Sequence, residues 1–241
     1  MKTTDFITDK INRLPIGFVF TYDDLKIEVN KVDAVTKALG RLVKEGKIRK
    51  LSPGRFYKAR TTDFGELKPD IYQVVKDLLE ENGKILGYLT GYYTYNMLKM
   101  TTQVPSIIQI GSLELKKGLT RGIYKIRFIK QPNRITKENI TLLQILDSVR
   151  NIKEIPDTTV DKACLILNST IKKISPEDRS RFVKLALKYN PATRALTGAI
   201  LENIADSNCV DSLYKSLNPS SSYSIGISDK VLPNKLKWNI L

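Results

Sequence analysis

The side chains with the strongest claim on chemistry are cations, and they gather in two blocks. Residues 41–60 hold Arg41, Lys44, Lys47, Arg49, Lys50, Arg55, Lys58 and Arg60 against Glu45 alone, a net of +7. Residues 115–137 hold Lys116, Lys117, Arg121, Lys125, Arg127, Lys130, Arg134 and Lys137 with no acid, a net of +8. The whole chain of 241 residues has a net charge of +15, so everything outside these blocks is neutral as a set. Concentrated positive charge on an otherwise balanced chain is the electrostatic footprint of a polyanion partner.

The same inventory excludes a good deal. There is no histidine, which removes His-based acid–base catalysis, Ser-His-Asp and Cys-His nucleophiles and His metal sites. No Gly-rich phosphate loop or G-x-S-x-G elbow occurs. The carboxylate pair Asp23 and Asp24 stands where a helix begins, so dipole and capping explain it better than catalysis. The reading is therefore of a protein that is not an enzyme and needs no cofactor and no metal. The two cysteines, Cys164 and Cys209, make no disulfide framework or zinc quartet and fit a cytoplasmic setting. No apolar run reaches the roughly 18 residues of a membrane span, and the first residues lack a signal-peptide core.

The first block needs elements to position it. Phe6, Ile7, Ile11 and Leu14 have helical spacing, and Pro15 with Gly17 stop that helix. Gly17 to Phe20 is extended. Thr21 with Asp24 has the capping-box form and opens a short helix ending near Val29. Asn30 to Asp33 repeats the signature and opens a helix over about 31–45, closed by Gly46, with Val32, Val35, Leu39, Leu42 and Val43 as its apolar stripe. Ile48 to Leu51 and Phe56 to Lys58 flank the turn at Pro53-Gly54 as a hairpin. Three helices and a basic hairpin predict a winged helix-turn-helix over residues 1–60. Its second motif helix enters the major groove N-terminus first. Lys31, Asp33, Ala34, Thr36 and Lys37 are then the candidates for base edges. Arg41, Lys44, Lys47, Arg49, Lys50, Arg55 and Lys58 are candidates for phosphates, which position without specifying.

Residues 61–135 read as a small helix-plus-sheet module. A helix spans about 69–82, with Gly83 just past its end. The tyrosines Tyr92, Tyr93 and Tyr95 read as half-buried core. Strand alternation runs from Ser106 to Lys130, with Tyr124, Ile126 and Phe128 on one side and Lys125 and Arg127 on the other. The patch Lys116, Lys117, Arg121, Lys125, Arg127 and Lys130 is the candidate partner surface. Residues 136–241 read as a helical domain with segments at 138–150, 157–174, 176–189 and 191–206, then a Ser/Pro-rich stretch from Ser216 through Ser224 that reads as a loop or linker, and a C-terminal end that Trp238 docks onto the body. The predicted fold class is α+β.

Three stretches carry a family resemblance: Gly17 to Leu25 with Val35 to Arg49 and Pro53 to Tyr57, then Tyr93 to Pro105 with its Thr-Gln-Val-Pro element, then Tyr189 to Glu202. Together they resemble AbiEi-type antitoxins of type IV (abortive infection) toxin–antitoxin systems. The resemblance implies a winged helix that represses its own operon by binding inverted repeats in the promoter. It also implies a C-terminal part that counteracts a nucleotidyltransferase-like toxin without a stable complex, in phage defence. Two other classes stand beside it. One is a plain winged-helix transcription regulator whose helical domain senses a ligand or dimerises. The other is a nuclease holding substrate on the second block, which needs metal-binding carboxylates that residues 115–137 lack.

Overall fold

The computed structural model describes residues 3–25, 32–63, 65–204 and 210–241. The chain is mixed α+β and forms two compact units: residues 1–78 with 120–124, and residues 79–119 with 125–241. The boundary expected at residue 60 therefore falls inside the first unit, and the one expected at 135 falls inside the second. The reason is packing. Tyr88, Tyr95 and Met100 share one apolar core with Leu142, Leu146 and Ile200, so the middle strands belong with the C-terminal helices.

In the first unit, α1 (Thr3–Arg13) and α2 (Val32–Lys44) pack around Ile7, Ile11, Phe20, Leu25, Val35, Leu39, Leu42 and Ile48. The expected apolar stripe of α2 holds except at its first member: Val32 is 47% exposed, and Ala38 takes its place in the core. The Thr21 N–H donates to Asp24 at 2.7 Å, forming the capping interaction expected there, and a 3-10 turn follows at Asp23–Leu25. The rest of the short helix and the Asn30 cap lie outside the described residues. Past α2, the Gly46 N–H donates to Val43 and the Lys47 N–H to Leu42, with Gly46 at φ +74°; this paired closure needs a residue free to adopt positive φ. Strands β1 (Val19–Phe20), β2 (Arg49–Ser52) and β3 (Arg55–Tyr57) form an antiparallel sheet in the order β1-β3-β2. A further hairpin, β4 (Arg60–Thr62) with β5 (Gly65–Leu67), was not expected from sequence. Helix α3 (Ile71–Leu79) ends three residues early. At the start of the second unit, Asn82 and Gly83, both at positive φ, make a tight turn joining β6 (Glu80–Glu81) to β7 (Lys84–Ile85).

Strands β8 (Gly87–Thr90), β9 (Ile107–Ser112), β10 (Leu119–Arg121) and β11 (Tyr124–Lys130) form a sheet ordered β10-β11-β9-β8, with β9 and β11 parallel; of these, β8, β9 and residues 125–130 of β11 belong to the second unit. Short α4 (Tyr92–Met97) follows β8. Then come α5 (Lys137–Arg150), α6 (Val160–Lys172), α7 (Pro176–Ala186), α8 (Pro191–Asn203) and α9 (Asp211–Lys215). Ser175 and Asn190 cap α7 and α8, each with proline at the first helical position, as the sequence predicts.

The core of this unit contains a polar hub. Asp147, 2% exposed, accepts hydrogen bonds from Tyr88 (2.7 Å), Thr90 (2.7 Å) and Tyr189 (2.9 Å). Gln131 donates to both tyrosine hydroxyls, and Asn133 ties Gln131 to the Leu185 carbonyl. Burial first, and then the Asp147 charge, push the Tyr88 and Tyr189 hydroxyls far above the usual tyrosine range, so both remain donors. Both hub tyrosines are core with their hydroxyls satisfied, while of the three expected as half-buried core Tyr92 and Tyr93 are half-buried and Tyr95 is buried.

The tail is not a loose linker. Trp238 is fully buried, stands edge-on to Tyr214 and donates to Glu202 at 3.0 Å. Tyr223 and Ile240 form a parallel bridge.

Candidate nucleic-acid interface

Helix α2 sorts its residues cleanly. Its buried side anchors it to the core, while Asp33, Ala34, Thr36, Lys37, Gly40, Arg41 and Lys44 are exposed on the other. Lys37, Arg41 and Lys44 fall three to four residues apart, so they share one face within reach of a single groove. The Thr36 hydroxyl donates to the Val32 carbonyl at 2.9 Å. What it presents outward is a methyl group and an acceptor, a surface suited to a thymine methyl or an amino donor. Lys31 lies outside the described residues.

The hairpin cations differ from one another. Lys50 is exposed, and Lys47 is exposed with an ion pair to neighbouring Glu45 at 2.9 Å. Arg49 is held by Glu66 through two guanidinium contacts, one of them at 2.9 Å from Nε. Arg55 is held by Asp77 at 2.7 Å, and Lys58 donates to the Asn12 carbonyl at 3.0 Å. Of the seven phosphate candidates, Arg41, Lys44 and Lys50 make no side-chain hydrogen bond or ion pair among the described residues, while Arg49 and Arg55 spend theirs within the unit. Glu66 and Asp77 are the functional neighbours that sequence reasoning missed. Glu66 sits on the unexpected β5, and Asp77 lay inside a predicted amphipathic helix with no visible partner.

The second block is divided in the same way. Lys116, Lys117, Lys125, Arg127 and Lys130 are exposed, and the burial of β11 alternates as its sequence does. Arg121 departs from the expected surface patch. It is 4% exposed, bonded to Asp77 at 2.5 and 2.7 Å and to the Val74 carbonyl at 2.7 Å. Arg121 is thus a structural group of the first unit: a guanidinium cannot shed its charge when buried, so it stays where its donors are filled.

Asp77 between two arginines gives a pH prediction. Burial pushes its carboxyl up, but hydrogen bonds from Arg121 and then Arg55 outweigh this and hold it below the ordinary value of 3.8. A carboxyl depressed in the folded state stabilises fully above that ordinary value, and loses the contribution as pH falls from there through the folded value. Asp77→Asn should therefore flatten the acid limb of the first unit's stability below about pH 4, as well as lowering stability at pH 7. Urea melts at pH 7 and pH 3 check this; an unchanged pH dependence in the variant would refute it.

No described helix is long and apolar enough to cross a membrane. The family model of DUF6088, a family of unknown function, matches residues 6–179, and the chain belongs to that family. No curated protein matches the sequence. Among solved structures, the chain is similar to the crystal structure of the RV2827C protein from Mycobacterium tuberculosis. The TM-score is 0.57 and the identity 12%, with 96% of this chain and 92% of that chain covered. At that identity the likeness is one of fold.

Proposed function

We propose that this protein is a DNA-binding autorepressor and antitoxin. Its first unit acts as a winged helix-turn-helix: α2 reads inverted repeats in the operon's promoter, and the β2–β3 hairpin is the wing on the flanking backbone. The observation that carries this reading is the exposed α2 face, where Thr36, Lys37, Arg41 and Lys44 stand together on a helix locked at both its buried side and its C-terminus. Groove readers need such a rigid cationic helix. The antitoxin half rests on the resemblance to AbiEi-type proteins and on the exposed cations of the second unit. Lys125 and Arg127 lie on the solvent side of β11, where they would meet an acidic or nucleotide-bearing partner, here a nucleotidyltransferase-like toxin.

The test separates the halves. Full-length protein should bind its own promoter specifically; with about six phosphates neutralised, log K against log salt should slope near −5. Lys125→Glu with Arg127→Glu should leave that binding intact and abolish rescue of cells expressing the neighbouring toxin gene. Loss of operator binding with full rescue would assign the second block to DNA instead. Equal affinity for any duplex would refute the repressor.

A further inference from the structure

Helix α2 carries a glycine that the fold does not ask for. Gly40 lies in the helix interior, with ordinary helical backbone, and is exposed. Glycine at such a position destabilises a helix relative to alanine, because it loses more backbone freedom on folding. A Cβ at Gly40 would meet no atom within 4 Å, so alanine would fit the protein as it stands. The other glycines of the first unit, Gly17, Gly46, Gly54, Gly65 and Gly122, all have positive φ, a conformation that favours glycine. In the interior of α8, Gly198 is required by the Trp238 ring pressed against it. Gly40 has neither reason, and the free protein gains nothing from it.

Its position supplies the reason. Gly40 follows Thr36 by four residues and Lys37 by three, and it precedes Lys44 by four, so it stands in the middle of the exposed face of α2. The roles of that face divide at this point. Thr36 and Lys37, towards the N-terminus, are candidates for base edges, while Arg41 and Lys44, towards the C-terminus, are candidates for phosphates. Helical side chains lean towards the helix N-terminus, so Lys44 leans over the turn that holds Gly40. The absent side chain therefore leaves a notch beside two exposed cations. A helix that enters the major groove N-terminus first must meet the sugar–phosphate wall where it passes from bases to backbone. That wall is anionic, which matches the cations beside the notch. Glycine is the residue that allows a backbone and a ligand to approach closely.

We infer that Gly40 is the point at which the sugar–phosphate backbone of DNA seats directly on α2. It is a positioning residue that sets how deeply the helix enters the groove, and the inference rests on the DNA-binding reading above. The cations supply attraction. Gly40 supplies the clearance that lets Thr36 and Lys37 reach base edges.

Thermal melts and mobility-shift titrations of full-length Gly40→Ala and Gly40→Leu test this. Gly40→Ala should raise the melting temperature of the first unit by several degrees, since alanine is the better helix former and nothing obstructs it. The same variant should bind the operator about eightfold more weakly at 0.1 M salt, the loss of about one phosphate contact. Gly40→Leu should lift the helix away from the phosphates of both Arg41 and Lys44, weakening binding at least about 60-fold and flattening the salt slope by about two units. Neither substitution changes the charge of the protein, so a flatter slope reports displaced contacts. Operator affinity within twofold of the parent in both variants, with Arg41→Ala still weakening it, would overturn the role of Gly40 and leave α2 in the interface. A lower melting temperature in Gly40→Ala would overturn it too, because the fold would then require the glycine. Failure of the parent protein to prefer its operator over other duplexes would remove the DNA-binding reading, and this inference with it.

Discussion

Alanine at Lys37, Arg41 and Lys44 together is expected to lower affinity for operator DNA by roughly 500-fold at 0.1 M salt, and to flatten the salt slope by about two units. Each phosphate contact contributes about 0.9 to the slope, or close to eightfold at that salt concentration, so Arg41 and Lys44 multiply to about 60-fold, and loss of the Lys37 base contact adds about tenfold. The three side chains are exposed, so the fold should be unaffected. The paired arginines provide the contrast. Arg49 is already neutralised by Glu66, so any phosphate must compete with a bidentate carboxylate. Glu66→Ala should release Arg49 and strengthen binding, with a steeper slope. Mobility-shift titrations at four salt concentrations measure both variants. A triple variant that binds within threefold of the parent would remove α2 from the interface. A Glu66→Ala variant that binds more weakly would mean that the pair, rather than the free cation, is the useful form.

Trp238→Ala should cost about 3–5 kcal/mol of the second unit's stability, the usual price of truncating a fully buried large aromatic. For a domain of this size that corresponds to a melting temperature lower by about 10 °C. The indole fills the space over α8 that only glycine leaves open. A Cβ at Gly198 would lie 2.1 Å from the Trp238 ring, closer than any real contact. Gly198→Ala should therefore be destabilising although alanine is the better helix former by about 1 kcal/mol. The two changes cannot be additive. With Trp238 already truncated, Gly198→Ala should become neutral or stabilising, because the clash has gone and the propensity gain remains. Thermal melts of the four proteins in this cycle decide the point. Additive losses would mean that the tail does not seat on α8.

How far the sequence could be read depended on whether the signal was local. The capping pair Thr21 and Asp24, the Pro-started helices α7 and α8, the closure of α2 at Gly46 and the alternation of β11 all act within a few residues, and all are found where the spacing put them. The Asn82-Gly83 turn was local too, and it outweighed the amphipathic pattern that would carry α3 past Leu79. The exposed α2 cations and the alternating face of β11 were likewise legible, since helical and strand periods fix which side chains share a side.

Which cations remain available was decided by partners far along the chain. Arg49 and Glu66 are 17 residues apart, Arg55 and Asp77 22, and Arg121 and Asp77 44. No periodicity links them, and charge counting treats a buried arginine and an exposed one alike. The Asp147 hub joins residues from Tyr88 to Tyr189. The sequence by itself determined the elements and the places where positive charge accumulates, because short-range sterics and hydrogen bonds govern both. Only the tertiary structure decided which of those charges are spent, and which polar groups meet in the core. That choice depends on long-range packing, where the cost of burying an unpaired polar group selects its partner.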